Sequence, residues 1–244
     1  MKSLTRSPKV VSVETGIHLA AASRSDKAYA FIRRKIVRGN LKLGQAISRR
    51  QLARELRMSF LPVSEAFLRL EWEGLLESRP RAGTRVRIPT KKDVEEHYVV
   101  REALETQAAR LVAERATVEE KADLYKFAVL LDGSNENGVS RLSYLNLHEK
   151  LHQKITECAH CPALSDAVEE TYALASAWMC VDRSDDASSG HQNLVEALAS
   201  GDAATAANAM SLHIHARKQE ALARLKPYFA LKKKRGTRYS RGFK

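Results

Sequence analysis

Only three cysteines occur among the 244 residues, too few and too odd a number to frame a disulfide scaffold. That excludes the small secreted folds that bridges hold together. Long hydrophobic runs are missing as well: none approaches the ~20 apolar residues needed to span a bilayer. Glu14 and His18 interrupt the apolar stretch that a secretory leader would require. Acidic residues are in short supply, with 29 Asp and Glu against 41 Lys and Arg, a formal net charge of +12. Such an excess favours a polyanionic partner, because clustered cations gain affinity by releasing counterions from phosphates. Charge alone does not separate nucleic acid from an anionic membrane surface. What is present, 44% apolar residues over this length, suffices for two modest domains with their own cores. The chain reads as soluble and cytoplasmic, with no membrane partner.

Residues 1–25 mix Ser, Thr, Lys, Arg and Pro without a period and read as a mobile basic arm. Asp26 is a plausible cap for a helix that presents Tyr29, Ile32 and Ile36 on one face and stops at Gly39. Ser48 and Gln51 form a capping box before Leu52, Ala53 and Leu56, and Ser59 caps a helix with Val63, Ala66, Phe67 and Leu70 at helical spacing. The period then changes to two. Leu75 and Leu76, a turn over Arg79 to Gly83, and Thr84 to Ile88 form a hairpin with Val86 and Ile88 inward and arginines outward. This order spells a winged helix-turn-helix over 26–89, whose helix from Ser59 enters a major groove about 12 Å wide while Arg85 and Arg87 grip phosphates.

From residue 90 onward the pattern is helical and predicts an all-α bundle of six or seven helices over 90–228, with a disordered basic tail over 229–244. Thr90 with Asp93 and Thr117 with Glu120 cap two of its helices, and Asp132-Gly133 ends the second. Within the bundle, His148 and His152 stand one turn apart on one helical face, and His191 and His213 lie on later helices able to fold back onto it. Four imidazoles so placed can close around one divalent ion. The alternative for each is a hydrogen-bonded or surface histidine. Cys158 and Cys161 form a single CxxC without a second ligand pair, and read as structural thiols.

The stretch Asp26 to Ile88, with Gly39, Leu52-Ala53, Ser59, Pro62-Val63, Glu65-Ala66, Leu70, Gly74-Leu75 and Gly83 in place, resembles the DNA-binding domain of the GntR family of bacterial transcriptional regulators. The helical part, beginning VVREALETQAARLVAERATVEE, resembles the FCD ligand-sensing domain of its FadR-like subfamily. The resemblance implies a metal site of an Asp and a His four residues apart plus two histidines on the last two helices. His152, His191 and His213 fall at the histidine places, while position 148, usually Asp, is His. An all-imidazole set shifts preference from hard ions towards Zn²⁺ or Ni²⁺. It also implies a small organic acid as effector. Arg101 in the helix with Leu104 and Glu105 is the candidate partner for its carboxylate, or else an intrahelical mate of Glu105.

The recognition helix departs from the family, which carries arginine after the capping Ser and again after the Val; this chain has Phe60 and Ser64 there. Arg50 keeps the place of a DNA-contacting arginine, with Arg49 beside it, and Phe60 and Leu61 either pack on thymine methyls or pack locally. The leading function is a ligand-responsive regulator that binds a palindromic site on double-stranded DNA as a homodimer, and not an enzyme. A metal-dependent hydrolase joined to a DNA-binding module is the alternative, weakened by the lack of an HExxH and by Glu149 facing away from the site. A basic architectural DNA protein ranks last, since it leaves the histidines without a purpose.

Overall fold

The computed structural model describes residues 23–134, 139–181 and 190–240, with side chains to Leu231 apart from Arg141. Of the arm expected over 1–25, residues 1–22 lie outside the described residues, as do the last four residues of the chain, whereas Ser23 to Ser25 form the cap and first residues of a helix. The fold is mostly α, a winged helix-turn-helix followed by a helical bundle, with two apolar clusters.

Helix α1 (Arg24–Val37) starts earlier than its sequence pattern indicates. Ser23 is its N-cap and Asp26 the third helical residue, each bonding the other's backbone N–H, so Asp26 completes the capping box rather than opening the helix. Helix α2 (Arg49–Leu56) begins at Ser48, whose hydroxyl accepts from Gln51 N, and ends on Arg57 in the left-handed region. Helix α3 (Phe60–Trp72) follows Ser59, which occupies the N-cap position without making a side-chain cap bond. Pro62, Val63, Ala66, Phe67 and Leu70 bury its inner face against Ala28, Ile32 and Ile36 of α1 and Leu52 and Ala53 of α2.

The wing is three-stranded. β2 (Leu76–Arg79) and β3 (Gly83–Val86) pair antiparallel with Leu76 opposite Val86, and the two-residue β1 (Ala46–Ile47) pairs on the other side of β3. Two residues are too few to show a period, so β1 leaves no sequence signal. Val86 and Ile88 are buried as expected. Arg87, however, does not reach freely outward: its Nη2 is 3.0 Å from Asp93 in the capping box of α4, joining wing to bundle.

Six helices form the bundle among the described residues: α4 (Lys91–Arg115), α5 (Val118–Gly133), α6 (Arg141–Cys158), α7 (Pro162–Met179), α8 (His191–Ala199) and α9 (Ala203–Ser240). The backbone of 229–240 continues α9, where disorder was expected. Ala, Leu, Lys and Arg are strong helix formers, and cations near a helix C-terminus oppose its dipole. Pro227 is accommodated inside this helix at the loss of one backbone bond. Helix α7 belongs to both clusters: Trp178 and Met179 face the bundle, whereas Ala173 and Ala177 complete the N-terminal core.

Gly74 and Gly83 both sit at φ +74°, but their surroundings differ. A Cβ on Gly74 would lie 2.9 Å from Arg87 Nη1, whereas one on Gly83 would meet nothing within 4 Å. Gly83→Ala is expected to cost roughly 1–2 kcal/mol from its left-handed backbone alone. Gly74→Ala is expected to cost slightly more, because the end of the flexible Arg87 side chain must shift where it lies beside Asp93; a smaller shift in urea midpoint than that of Gly83→Ala would contradict this.

Candidate metal centre and nucleic-acid interface

The candidate metal centre is assembled from the bundle helices, and two carboxylates fix the tautomers of two of its histidines. Glu105 on α4 lies 2.5 Å from His152 Nδ1, both fully buried. Burial alone would raise Glu105, but Arg101 and His152 outweigh it and hold the carboxyl at about 2. A carboxylate only accepts, so Nδ1 of His152 carries the proton and Nε2 presents a lone pair. Asp132, at the end of α5, repeats the device. Its Oδ1 is 2.5 Å from His191 Nδ1, and its two oxygens accept the backbone N–H groups of His191 and Gln192 at 3.3 and 3.1 Å. Helix α8 follows Gly190 and has no cap side chain of its own, so Asp132 caps it from another helix while orienting its first imidazole.

The lone pairs converge. His148 Nε2 and His152 Nε2 lie 3.3 and 3.1 Å from His213 Nε2. Two nitrogens bound tetrahedrally at about 2.0–2.1 Å from one ion stand about 3.3 Å apart, so this spacing suits a shared Zn²⁺ and a similar first-row ion. His148, His152 and His213 form the compact ligand group. His191 is fully buried, its ring 5.2 Å from those of both His148 and His213, and its Nε2 has no hydrogen-bond partner. A buried imidazole nitrogen without a partner beside three converging imidazoles fits a fourth donor, and the residues present fit a divalent ion.

Burial favours the neutral form of His148, His191 and His213. Burial, then Arg217 and the neighbouring rings, push His148 well below 6.5, and burial, then His152 and His191, do the same to His213. Burial lowers His191 too, against the pull of Asp132.

Arg101 is buried and gives Nε and Nη2 to Glu105 Oε1 at 2.8 and 2.7 Å. The intrahelical reading of this residue is the one observed. Its guanidinium stands 5.3 and 5.5 Å from the rings of Tyr98 and Tyr172, whose buried hydroxyls have no partner. A cavity of about 20 Å³ lies among Tyr98, Arg101, His148, Tyr172 and Arg217. It has room for one water and not for an organic acid. A larger cleft, about 410 Å³, opens on the other side of Tyr172 between α6 and α7, where Glu157, Asp166 and Glu169 oppose an anion. Cys158 and Cys161 are free thiols, and burial pushes Cys158 up to about 11.

At the other end, Arg50, Ser59, Phe60 and Leu61 are exposed. Arg49 is held in place, bonded to Glu71 at 2.9 Å and packed over the Phe67 ring, so it braces α2 against α3. Ser64 turns its hydroxyl onto the carbonyl of Phe60 at 3.0 Å, and Arg85 reaches Gly44 O at 3.4 Å. Sequence reasoning missed Asp132, which carried only a helix-stop signal, and passed over Leu68 and Trp72, whose exposure on α3 its helical spacing indicates.

Comparison with known proteins agrees with this geometry. Residues 24–86 match the model of bacterial regulatory proteins of the gntR family, and residues 96–216 match the FCD domain. A probable D-xylose utilization operon transcriptional repressor of Paenarthrobacter nicotinovorans is 32% identical over 83% of this chain and 90% of its own length. The HTH-type transcriptional repressor RspR of Escherichia coli K12 is 25% identical over 61% of this chain and 65% of its own. Among solved structures, E. coli McbR/YncC superposes with a TM-score of 0.66 at 21% identity, covering 86% of this chain and all of that one. The chain belongs to the gntR family of bacterial regulators and carries an FCD domain: it is a transcriptional regulator with a DNA-binding winged helix-turn-helix.

Because the buried histidines resist protons that the unfolded chain accepts near 6.5, metal-free protein is expected to hold its full stability above that pH and lose it as pH falls below. His97, held at about 4 chiefly by burial, extends the loss. Urea unfolding between about pH 7.5 and about pH 5 checks this, and a flat profile would contradict the neutral cluster.

Proposed function

We propose that this regulator binds a palindromic operator as a homodimer and responds to a small organic acid at a metal-assisted pocket. The observation that carries the reading is the convergence of imidazole lone pairs, with His152 and His191 fixed from behind by Glu105 and Asp132. His148, His152 and His213 would hold the ion, joined by His191, and Zn²⁺ or Ni²⁺ suits an all-nitrogen set. A bound ion supplies a Lewis-acidic point for a carboxylate. The remaining lining is mixed: the Arg101 and Arg217 guanidiniums and the unpartnered hydroxyls of Tyr98 and Tyr172 favour an anion, while the single carboxylate of Glu149, bonded to Ser176, opposes one.

The cavity is too small for an acid as it stands, so binding requires a wall to move. Helix α7 is that wall. Tyr172 lines the cavity, and Ala173 and Ala177, on the same helix, are packed into the core of the DNA-binding domain. A displacement of α7 would therefore shift the two recognition helices of a dimer relative to one another, which is the differential contact that ligand control of DNA binding needs. The regulator names of its relatives favour this reading over a hydrolase; Glu149, expected to face away from the site, lines the cavity beside His148, where it accepts from Ser176. Residues 26–89 and 90–228 serve as reading and sensing units, in the cytoplasm.

Zinc is expected to raise the melting temperature, by about 2.7 kcal/mol of stabilisation at a free concentration a hundredfold above Kd. A chelator should reverse this in the wild type and leave His152→Ala and His213→Ala unmoved. Calorimetry with elemental analysis checks it; chelator indifference in metal-loaded wild type would remove the metal from the mechanism. For DNA, Arg50→Ala is expected to shallow the salt dependence of affinity by about one unit. Arg87→Ala, whose guanidinium lies on Asp93, should lower stability and leave that slope unchanged. Filter binding across a salt series separates the two.

A further inference from the structure

The outer face of α3 is apolar where a base-reading helix ordinarily carries charge. Phe60, Leu61, Leu68 and Trp72 are 53, 67, 63 and 91% exposed, and Leu61, Leu68 and Trp72 follow one stripe at i, i+7 and i+11. Four large apolar groups on one helix of thirteen residues mark a surface built for a partner. No lysine or arginine lies between Phe60 and Leu68, and Arg69 turns back over the Tyr29 ring at 3.7 Å and towards Asp26 and Glu73. Ser64 donates to the Phe60 carbonyl. Glu65 is the only ionisable group on the exposed face of this stretch, and it is an acceptor.

Guanine shows two acceptors in the major groove, and from Phe60 to Leu68 no side chain on this face is left to donate to them, Ser64 being committed to the Phe60 carbonyl. The thymine C5-methyl is the one apolar group there, and Glu65 can accept from cytosine N4. Arg50, Arg54, Arg57 and Arg81 are exposed around the stripe, on α2, the turn and the wing tip. Those cations suit phosphates on either side of a groove and fix the occupant as duplex DNA. Trp72 lies eleven residues beyond Leu61, about 16 Å along the axis, past the reach of a groove about 12 Å wide, and reports binding by its fluorescence rather than reading bases.

We propose that α3 recognises its operator by burying thymine methyl groups against Phe60, Leu61 and Leu68, so that the contacted pairs are T·A. The proposal rests on the DNA-binding reading above and specifies its chemistry. The probes are duplexes selected by the full-length protein from a pool with randomised centres, then resynthesised with deoxyuridine in place of thymidine, together with unselected duplex as reference. Selected duplexes are expected to be rich in T·A and to weaken about fourfold for each contacted methyl removed, the equivalent of about 0.8 kcal/mol per buried methyl. Phe60→Ala, Leu61→Ala and Leu68→Ala, exposed positions that leave the core intact, should lose the discrimination between thymine and uracil and keep the salt dependence. Uracil duplexes bound as tightly as thymine ones would overturn the proposal, including the outcome in which this face docks a protein instead. Failure to bind even unselected duplex at low salt would bring down the DNA-binding reading itself, a result distinct from uracil indifference.

Discussion

A buried imidazole exposes a lone pair on one nitrogen only if something accepts the proton on the other. Glu105 and Asp132 do this for His152 and His191, at 2.5 Å each, and much of the bundle is arranged to let them. Glu105 is affordable in the interior because Arg101 lies against it, and Arg101 in turn because Tyr98 and Tyr172 present their ring faces to it. Asp132 is stabilised by the first N–H groups of α8, so one carboxylate both ends α5 against α8 and sets a tautomer. Removing either acid would leave a histidine free to rotate or to reverse its tautomer, and the cluster would lose its common focus.

This dependence explains what was legible in the sequence and what was not. The pair His148 and His152 declares a shared face by spacing alone, and the caps Thr90/Asp93 and Thr117/Glu120 declare their helices; all recur in the structure. Asp132 carries no such signal, because its partners are 59 and 60 residues away and its local context is that of a helix terminus. Arg101 illustrates the opposite case: i, i+4 spacing to Glu105 offered the ion pair as the alternative to a carboxylate-binding role, but not that the pair would lie behind a histidine. The arginines of the wing and of α2 read alike as DNA contacts. Only packing separates exposed Arg50 from Arg49, committed to Glu71, and from Arg87, committed to Asp93.

Two apolar clusters sharing one helix have a consequence for signalling. Close-packed interiors do not deform continuously, so a helix that contributes to both cores transmits a change of seat rather than absorbing it. Helix α7 contributes Trp178 and Met179 to the bundle and Ala173 and Ala177 to the winged domain, and Leu174 contacts both. Small residues at this contact let α7 approach the N-terminal core closely, where a translation of an ångström cannot be taken up by a flexing side chain. The Arg87–Asp93 ion pair makes a second, independent tie between wing and α4. On the reading proposed above, the sensing pocket and α3 are joined through α7, whose residues pack into both cores, and movement of that helix is the route by which a ligand at the cavity of about 20 Å³ would reach the DNA-binding domain.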